Sequence, residues 1–214
     1  MSEPVKPTRR YDSPRRRQQA AETRRLILEA AQRLFQRDGY GPTTMATIAR
    51  EAGVAPKTVY VAFETKSGVL RALWHLLLRG DLQDVPVGDR SWYREVLDEA
   101  DPERKLRLAA RASSRVKGRA GRLMGVIRSA AATDPDIREL WDRIQRDFLE
   151  NQRGVVESLH ARGSLREGLT VDRGTDILWT LNHPDVWLLL LDRGWTPEEF
   201  EEWFADTIRR QLLD

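Results

Sequence analysis

Thr44-Met45-Ala46-Thr47-Ile48-Ala49-Arg50-Glu51-Ala52-Gly53-Val54-Ala55-Pro56-Lys57-Thr58-Val59-Tyr60-Val61-Ala62-Phe63 packs two helix starts and one tight turn into a single short run. Thr44 is a good N-cap, because its hydroxyl accepts from a first-turn amide, and it predicts a short helix through Ala52. Gly53 stops that helix, since glycine enters the left-handed region without a Cβ clash. Pro56 suits the first turn of the next helix, where a missing N–H is no loss, and that helix reaches about Phe63. Small Ala49 for helix contact, Gly53 for the turn and Val59 as the apolar anchor are what a helix-turn-helix requires.

The flanks supply the rest of a small core. Ile27, Ala30, Ala31, Leu34 and Phe35 fall on one stripe of a helix running from about Gln18 to Asp38, with Gly39 as its stop. Ile48, Val54 and Phe63 complete the core around Ala30, Leu34 and Phe35. A further helix opens at Lys66 and carries Val69, Leu70, Leu73, Leu76 and Leu77 before Gly80. Residues 1–17, broken by Pro4, Pro7 and Pro14, read as a basic arm without regular structure.

With Val59 and Phe63 inward, Lys57, Thr58, Tyr60 and Val61 must face outward or sideways. The start of such a helix is where side chains reach base edges in the major groove. Lys57 and Thr58 carry the hydrogen-bonding groups for that, and Val61 suits a thymine methyl. Tyr60 and Lys66 are better placed for phosphates, with Thr44 and the amides of its helix start clamping another. The arginines Arg9, Arg10, Arg15, Arg16 and Arg17 are candidates for backbone contacts as well, against the plainer reading of a solubilising tail.

The run from Thr43 to Val54, followed by Thr58-Val59-Tyr60-Val61-Ala62-Phe63 and by Lys66 with Leu70, resembles the TetR family of bacterial repressors. Ala30-Ala31-Gln32-Arg33-Leu34-Phe35 with Gly39-Tyr40 is similar to that family's first helix, so the resemblance covers about residues 18–75. It implies that Thr44, the residues of the second helix of the pair and Lys66 touch DNA. Val61 and Ala62 stand where many relatives carry a second aromatic or a polar residue, which leaves this reading helix poor in donors and its base preference open.

Charge and aromatic content divide the chain in the same way. Residues 1–66 carry an excess of 6 positive charges and the remainder an excess of 3 negative ones. A basic first third points to a polyanion as its partner. All 7 tryptophans (Trp74, Trp92, Trp141, Trp179, Trp187, Trp195 and Trp203) lie in the acidic part, where large aromatic area serves cores, interfaces or ligand pockets. Residues 81–90 read as a loop, and Trp92–Leu97 as a short helix. Longer helices are expected over about 102–117, 119–131 and 135–161, with others after Asp172 and Thr196. Pro184 predicts a kink after His183. No stretch alternates with period two, so the fold class is all-α. A three-helix helix-turn-helix domain (18–65, motif 44–63) precedes an α-helical ligand-sensing and dimerisation domain (66–214).

Thr196 and Glu199 form a capping box, with Pro197 in the first turn and Trp195 against Phe200 as a hydrophobic staple. Behind it, Phe200, Trp203, Phe204 and Ile208 make an apolar stripe, and Val186 to Leu191 is apolar on all sides. The stretch from Asp176 to Phe200 more loosely resembles the family's dimerisation segment. Trp187, Leu188, Leu191, Phe200, Trp203, Phe204 and Ile208 are therefore the expected homodimer interface, which would set two reading helices one DNA turn apart. The resemblance also implies a ligand cavity. Leu106, Met124, Ile127, Trp141, Ile144, Phe148, Trp179, Asn182 and His183 are its candidate lining, although each apolar one fits a plain core equally. Arg104, Arg107, Arg111 and Arg115 share one helix face, which reads as solvated.

Other function classes find little support. The chain has no cysteine, which removes disulfides and thiol chemistry. His75, His160 and His183 are not at metal-ligand spacing, no phosphate-binding glycine loop occurs, and no nucleophile stands beside a base. Neither catalytic residues nor a metal or other cofactor is expected. The partners expected are a double-stranded DNA operator, a small-molecule effector and a second copy, in the cytoplasm and away from membranes. The favoured reading is a repressor released from a palindromic operator. An activator of the same fold and a non-specific architectural DNA-binding protein are the alternatives.

Overall fold

The computed structural model describes residues 14–79 and 87–214, and among them every regular element is helical. In chain order these are α1 (Pro14–Asp38), α2 (Met45–Glu51), α3 (Pro56–Phe63) and α4 (Lys66–Arg79), then a 3-10 turn at Val87–Asp89. After the turn come α5 (Ser91–Asp98), α6 (Pro102–Ala130), α7 (Pro135–His160), α8 (Val171–Leu181), α9 (Pro184–Asp192) and α10 (Pro197–Leu212).

Pro14 opens α1 four residues ahead of the expected boundary, so Arg15, Arg16 and Arg17 belong to a helix and not to an arm. Proline is no obstacle there, because the first-turn amides of a helix have no internal partner. Residues 1–13, including Arg9 and Arg10, lie outside the described residues, as do residues 80–86 of the expected loop.

α1, α2 and α3 close around Ile27, Ala31, Phe35, Ile48, Ala49, Val59 and Phe63, all buried. Thr44 caps α2 as expected and adds a reciprocal bond. Its hydroxyl accepts from the Thr47 amide at 3.1 Å, and the Thr47 hydroxyl accepts from the Thr44 amide at 2.9 Å. Gly53 turns the chain at φ +67°, a conformation that Cβ-bearing residues rarely adopt. Arg24 of α1 ties down the end of α3, donating to the Ala62 carbonyl at 2.8 Å and lying 4.2 Å over the Phe63 ring.

The core does not stop at residue 65. Val69, Leu70, Leu73 and Trp74 of α4 belong to the same buried cluster as Phe35 and Ile48, and so do Leu123 and Ile127 of α6 and Ile137 and Leu140 of α7. A second cluster joins α5, the first half of α6, the second half of α7 and α8 to α10, around Leu106, Val156, Leu178, Trp187, Phe200 and Phe204. α10 packs along α6, and α8 along α7.

α6 corrects the expected break near residue 118. It is one helix of 29 residues. A glycine in a helix interior costs about 1 kcal/mol relative to alanine, whereas burying a leucine or isoleucine fully contributes about 1.5–3 kcal/mol. Leu106, Leu123 and Ile127 lie on both sides of Gly118 and are buried, so tertiary packing overrides the local preference. The start of α8 also differs. Thr170, not Asp172, is the cap, accepting from the Arg173 amide at 3.3 Å, and Asp172 instead pairs with Arg153 at 2.8 Å. At Pro184 the expected kink is a complete break. Asn182 closes α8, and the His183 imidazole caps α9 by accepting from the Asp185 amide at 3.2 Å. α10 carries its capping box as expected, with the Glu199 carboxylate accepting from the Thr196 amide at 2.7 Å. Among the described residues no helix is long and apolar enough to cross a membrane.

Candidate nucleic-acid interface and cavity

α3 shows the division of faces that its sequence demands. Val59 and Phe63 are buried, while Lys57, Tyr60 and Val61 are exposed and Thr58 is half-buried. Tyr60 and Val61 keep 53% and 77% of their surface, which for an aromatic and a branched aliphatic on a short rigid helix marks an unpartnered apolar-polar face. Thr44 is exposed beside them, but its hydroxyl is committed to the α2 cap. Arg15 and Arg16, at the start of α1, are exposed too.

Lys66 is placed differently from expectation. Its ammonium donates to the carbonyls of Tyr40 at 2.8 Å and Gly41 at 3.3 Å and lies 4.1 Å over the Tyr40 ring. Burial lowers its pKa, partly offset by Asp134. These contacts make it a brace between α4 and the α1–α2 connection. Around it the two halves of the chain are stitched together. The Tyr40 hydroxyl donates to Asp134 at 2.6 Å, and the Ser67 hydroxyl to Asp136 at 3.0 Å.

α4 continues from that node into the wall of a cavity of about 530 Å³. Trp74, His75 and Leu78 of α4 line it, facing Trp92 and Tyr93 of α5 and Ile144 and Phe148 of α7. Of the expected lining, Met124, Ile144, Phe148 and Asn182 reach the cavity, and Leu106, Ile127, Trp141, Trp179 and His183 do not. Leu106 and Ile127 are plain core, and Trp141 packs against the first buried cluster. Trp179 and His183 form an aromatic group of their own with Phe148, their rings 5.0 Å apart. Arg104, Arg107, Arg111 and Arg115 are exposed, outside the cavity, as the solvated-face reading expected.

Of the polar part of the cavity, sequence reasoning found Asn182 and missed the rest. Lys117 of α6, buried, lines it together with Ser113, Gln152 and Asn182. Lys117 donates to the Ser113 hydroxyl at 2.5 Å and to the side-chain oxygen of Asn182, which also accepts from Ser113. The Asn182 amide donates in turn to Gln152 at 2.9 Å. Burial alone holds the Lys117 ammonium well below the usual lysine range. The sequence did hold a signal for this residue. Leu106, Ala110, Ser113, Lys117 and Met124 share one helical stripe, and a lysine inside it escapes notice only if the helix is taken to end there.

Residues 27–73 match the family described as bacterial regulatory proteins, tetR family. The N-terminal domain belongs to the TetR family. Beyond this TetR-type domain the likeness extends along most of the chain. It is 28% identical to a probable HTH-type transcriptional regulator, ArpR, of Pseudomonas putida, over 88% of this chain and 91% of that one. Among solved structures, NalD, the secondary repressor of the MexAB-OprM multidrug efflux pump in Pseudomonas aeruginosa, superposes with a TM-score of 0.70 at 24% identity, covering 92% of this chain and 98% of that one. A transcriptional regulator from Saccharomonospora viridis, in complex with choline, gives 0.68 at 20% identity over 91% and 99%. These structures share the fold: a TetR-type helix-turn-helix domain followed by an all-helical domain.

Behind the TetR-type domain, the expected dimer residues divide in two. Trp187, Phe200, Phe204 and Ile208 keep 2% of their surface or less within a single chain, so they are its own core and no part of an interface. The Trp187 and Phe200 rings pack edge to face at 4.9 Å, and Phe200 stacks on Phe204 at 5.5 Å. The apolar run on α9 is thus covered on one side by α6 and α10. Leu188, Leu191 and Trp203 are half-buried, and Leu189, on the open side, is 65% exposed.

Proposed function

We propose that this chain is a ligand-responsive, sequence-specific transcription regulator, a homodimeric repressor that a small molecule releases from a palindromic operator. Lys57, Thr58 and Val61 read base edges in the major groove. Tyr60 and the exposed Arg15 and Arg16 hold the phosphates. Lys66, given its bracing contacts, acts by fixing the pose of the reading unit. Leu189, with Leu188, Leu191 and Trp203 around it, is the surface offered to the second copy, and such a regulator works in the cytoplasm where the DNA is.

One observation carries the reading. α4 begins in contact with α3, is tied at Lys66 to the α1–α2 connection and at Ser67 to α7, and lines the cavity with Trp74, His75 and Leu78 of its other half. Any occupant that moves the cavity wall therefore moves the base of the reading helix. A ligand weakens DNA binding only by its difference in affinity for the two arrangements, typically about 1–3 kcal/mol. Selection of bound sequences from random DNA, followed by footprinting, tests the proposal. A single palindromic motif protected as one block supports it, and uniform protection of unrelated DNA supports the architectural alternative.

A further inference from the structure

Two lysines of α6 are buried, and their surroundings differ. Lys105 donates to the Leu97 carbonyl at 2.6 Å and the Ser158 hydroxyl at 2.8 Å, and the charges of Asp98 and Glu99 partly offset its burial and the like charge of Arg162. It is tied into the structure on every side. Lys117 keeps 5% of its surface and, among the described residues, has no carboxylate within ion-pairing distance. Its partners are two neutral oxygens, on Ser113 and Asn182, and the faces of Phe200 at 4.9 Å and Phe204 at 5.3 Å. A buried ammonium is costly unless an opposite charge meets it, and here the remaining open side of the group is the cavity.

Taking the cavity as the effector site proposed above, we infer that the effector is an amphiphilic acid whose carboxylate sits on Lys117 while its apolar body lies between α4, α5 and α7. Among the described residues of the wall Lys117 is the one buried cation, and the carboxylates of Asp147 and Glu150 stand on its exposed side. His75 comes from α4, Tyr93 from α5, and Arg143, Asp147 and Glu150 from α7. Arg143, Asp147 and Glu150 are exposed, and Arg143 is already neutralised by Glu139 at 2.9 Å. Tyr93 donates to the Asn151 carbonyl at 2.8 Å. Burial lowers the pKa of His183 at the start of α9, Asp185 opposes it, and Arg128 and Lys117 add to the lowering. One buried cation on a largely apolar wall matches a monoanion, not a phosphate dianion. Ion pairing returns Lys117 to its charged form, and Ser113, one hydroxyl rotation away, supplies a second donor.

The test measures binding to the full-length protein by tryptophan fluorescence with matched probes in two shapes: octanoate, octanol and octylamine, and 2-naphthoate, 2-naphthol and 2-naphthylmethylamine. Wild type and Lys117→Met are compared, each checked for folding by its melting curve, and operator affinity is followed by anisotropy. In at least one shape the acid binds about tenfold or more tightly than the alcohol, with the amine weakest, and Lys117→Met abolishes the gap. An alcohol or amine that binds as tightly as the acid, or an acid preference that survives in Lys117→Met, overturns the inference. If such neutral or cationic probes still displace DNA, the effector-site reading stands without it. Absence of saturable binding by all of the probes up to about 1 mM overturns both. Should Lys117→Met fail to fold, the order of head groups in the wild type decides alone.

Discussion

The hydroxyl of Tyr40 donates to the carboxylate of Asp134 at 2.6 Å, across 94 residues of sequence. Tyr40 follows the first helix of the DNA-reading unit, and Asp134 caps α7, accepting from the Asp136 amide at 3.0 Å and the Ile137 amide at 3.3 Å. One carboxylate thus holds both the start of the cavity wall and the back of the reading unit. Burial and the nearby Asp134 and Asp136 raise the pKa of the Tyr40 phenol, so it stays a donor at any physiological pH.

Removing that hydroxyl tests the link. Tyr40→Phe keeps the ring under Lys66 and deletes one bond to a charged acceptor, about 1.5–3 kcal/mol when buried, with the lower end expected because Asp134 is half-exposed. The urea midpoint falls, and an effector that weakens operator binding in the wild type does so less in the variant. A variant with unchanged midpoint and unchanged ligand response would show that the bond couples nothing.

Two glycine substitutions are expected to act with opposite sign. A Cβ at Gly118, exposed within α6, meets nothing within 4 Å, so Gly118→Ala stabilises by about 0.5–1 kcal/mol. At Gly68 the same atom stands 2.3 Å from the Phe63 carbonyl oxygen, a backbone atom at the end of α3. Gly68→Ala forces α3 and α4 apart, costs about 1–3 kcal/mol and weakens DNA binding. Chemical denaturation separates the two, and a destabilised Gly118→Ala would contradict a continuous α6.

The proposed dimer surface is tested at Leu189. Sedimentation is expected to find the wild type dimeric and Leu189→Asp, which leaves the chain's own core intact, monomeric, whereas a variant that stays dimeric moves the interface elsewhere. Phe204→Ala, by contrast, excavates the core and costs about 3–5 kcal/mol of stability.

Stability carries a pH signature from Lys117. Its folded-state pKa lies well below the unfolded value because of burial. Between the two values the unfolded chain binds the extra proton, so stability rises with pH through that window, and below the folded value the full cost of burying the charge is present. Lys117→Met removes this dependence. Above the histidine range, the variant's advantage in unfolding free energy shrinks as pH rises. An advantage that stays constant over that range would mean that the lysine remains charged when folded.

The reading unit was legible because its signals are local. Thr44, Gly53 and Pro56 act on the residues next to them, and α3 ends at Phe63 as its pattern requires. What escaped depends on partners far along the chain. Phe200 and Phe204 look like an interface until α6 and α9 are seen to cover them. Lys66 reads as a phosphate ligand from its position alone, and its bracing contacts with the carbonyls of Tyr40 and Gly41 show only in the fold. Lys117 was hidden by a glycine one residue later, whose small local cost the packing of α6 overrides. The break at Pro184 was visible, but its depth depends on the His183 cap.

The central claim is that the exposed face of α3 grips a duplex. It is tested most directly by the affinity, at fixed salt, of the protein for its own selected site before and after joint replacement of Lys57, Thr58 and Tyr60 by alanine. Losing these outward side chains, each worth about 1–3 kcal/mol of contact, lowers affinity by about a hundredfold or more while the melting temperature is retained. A folded triple variant that binds the site as tightly as the wild type would contradict the account.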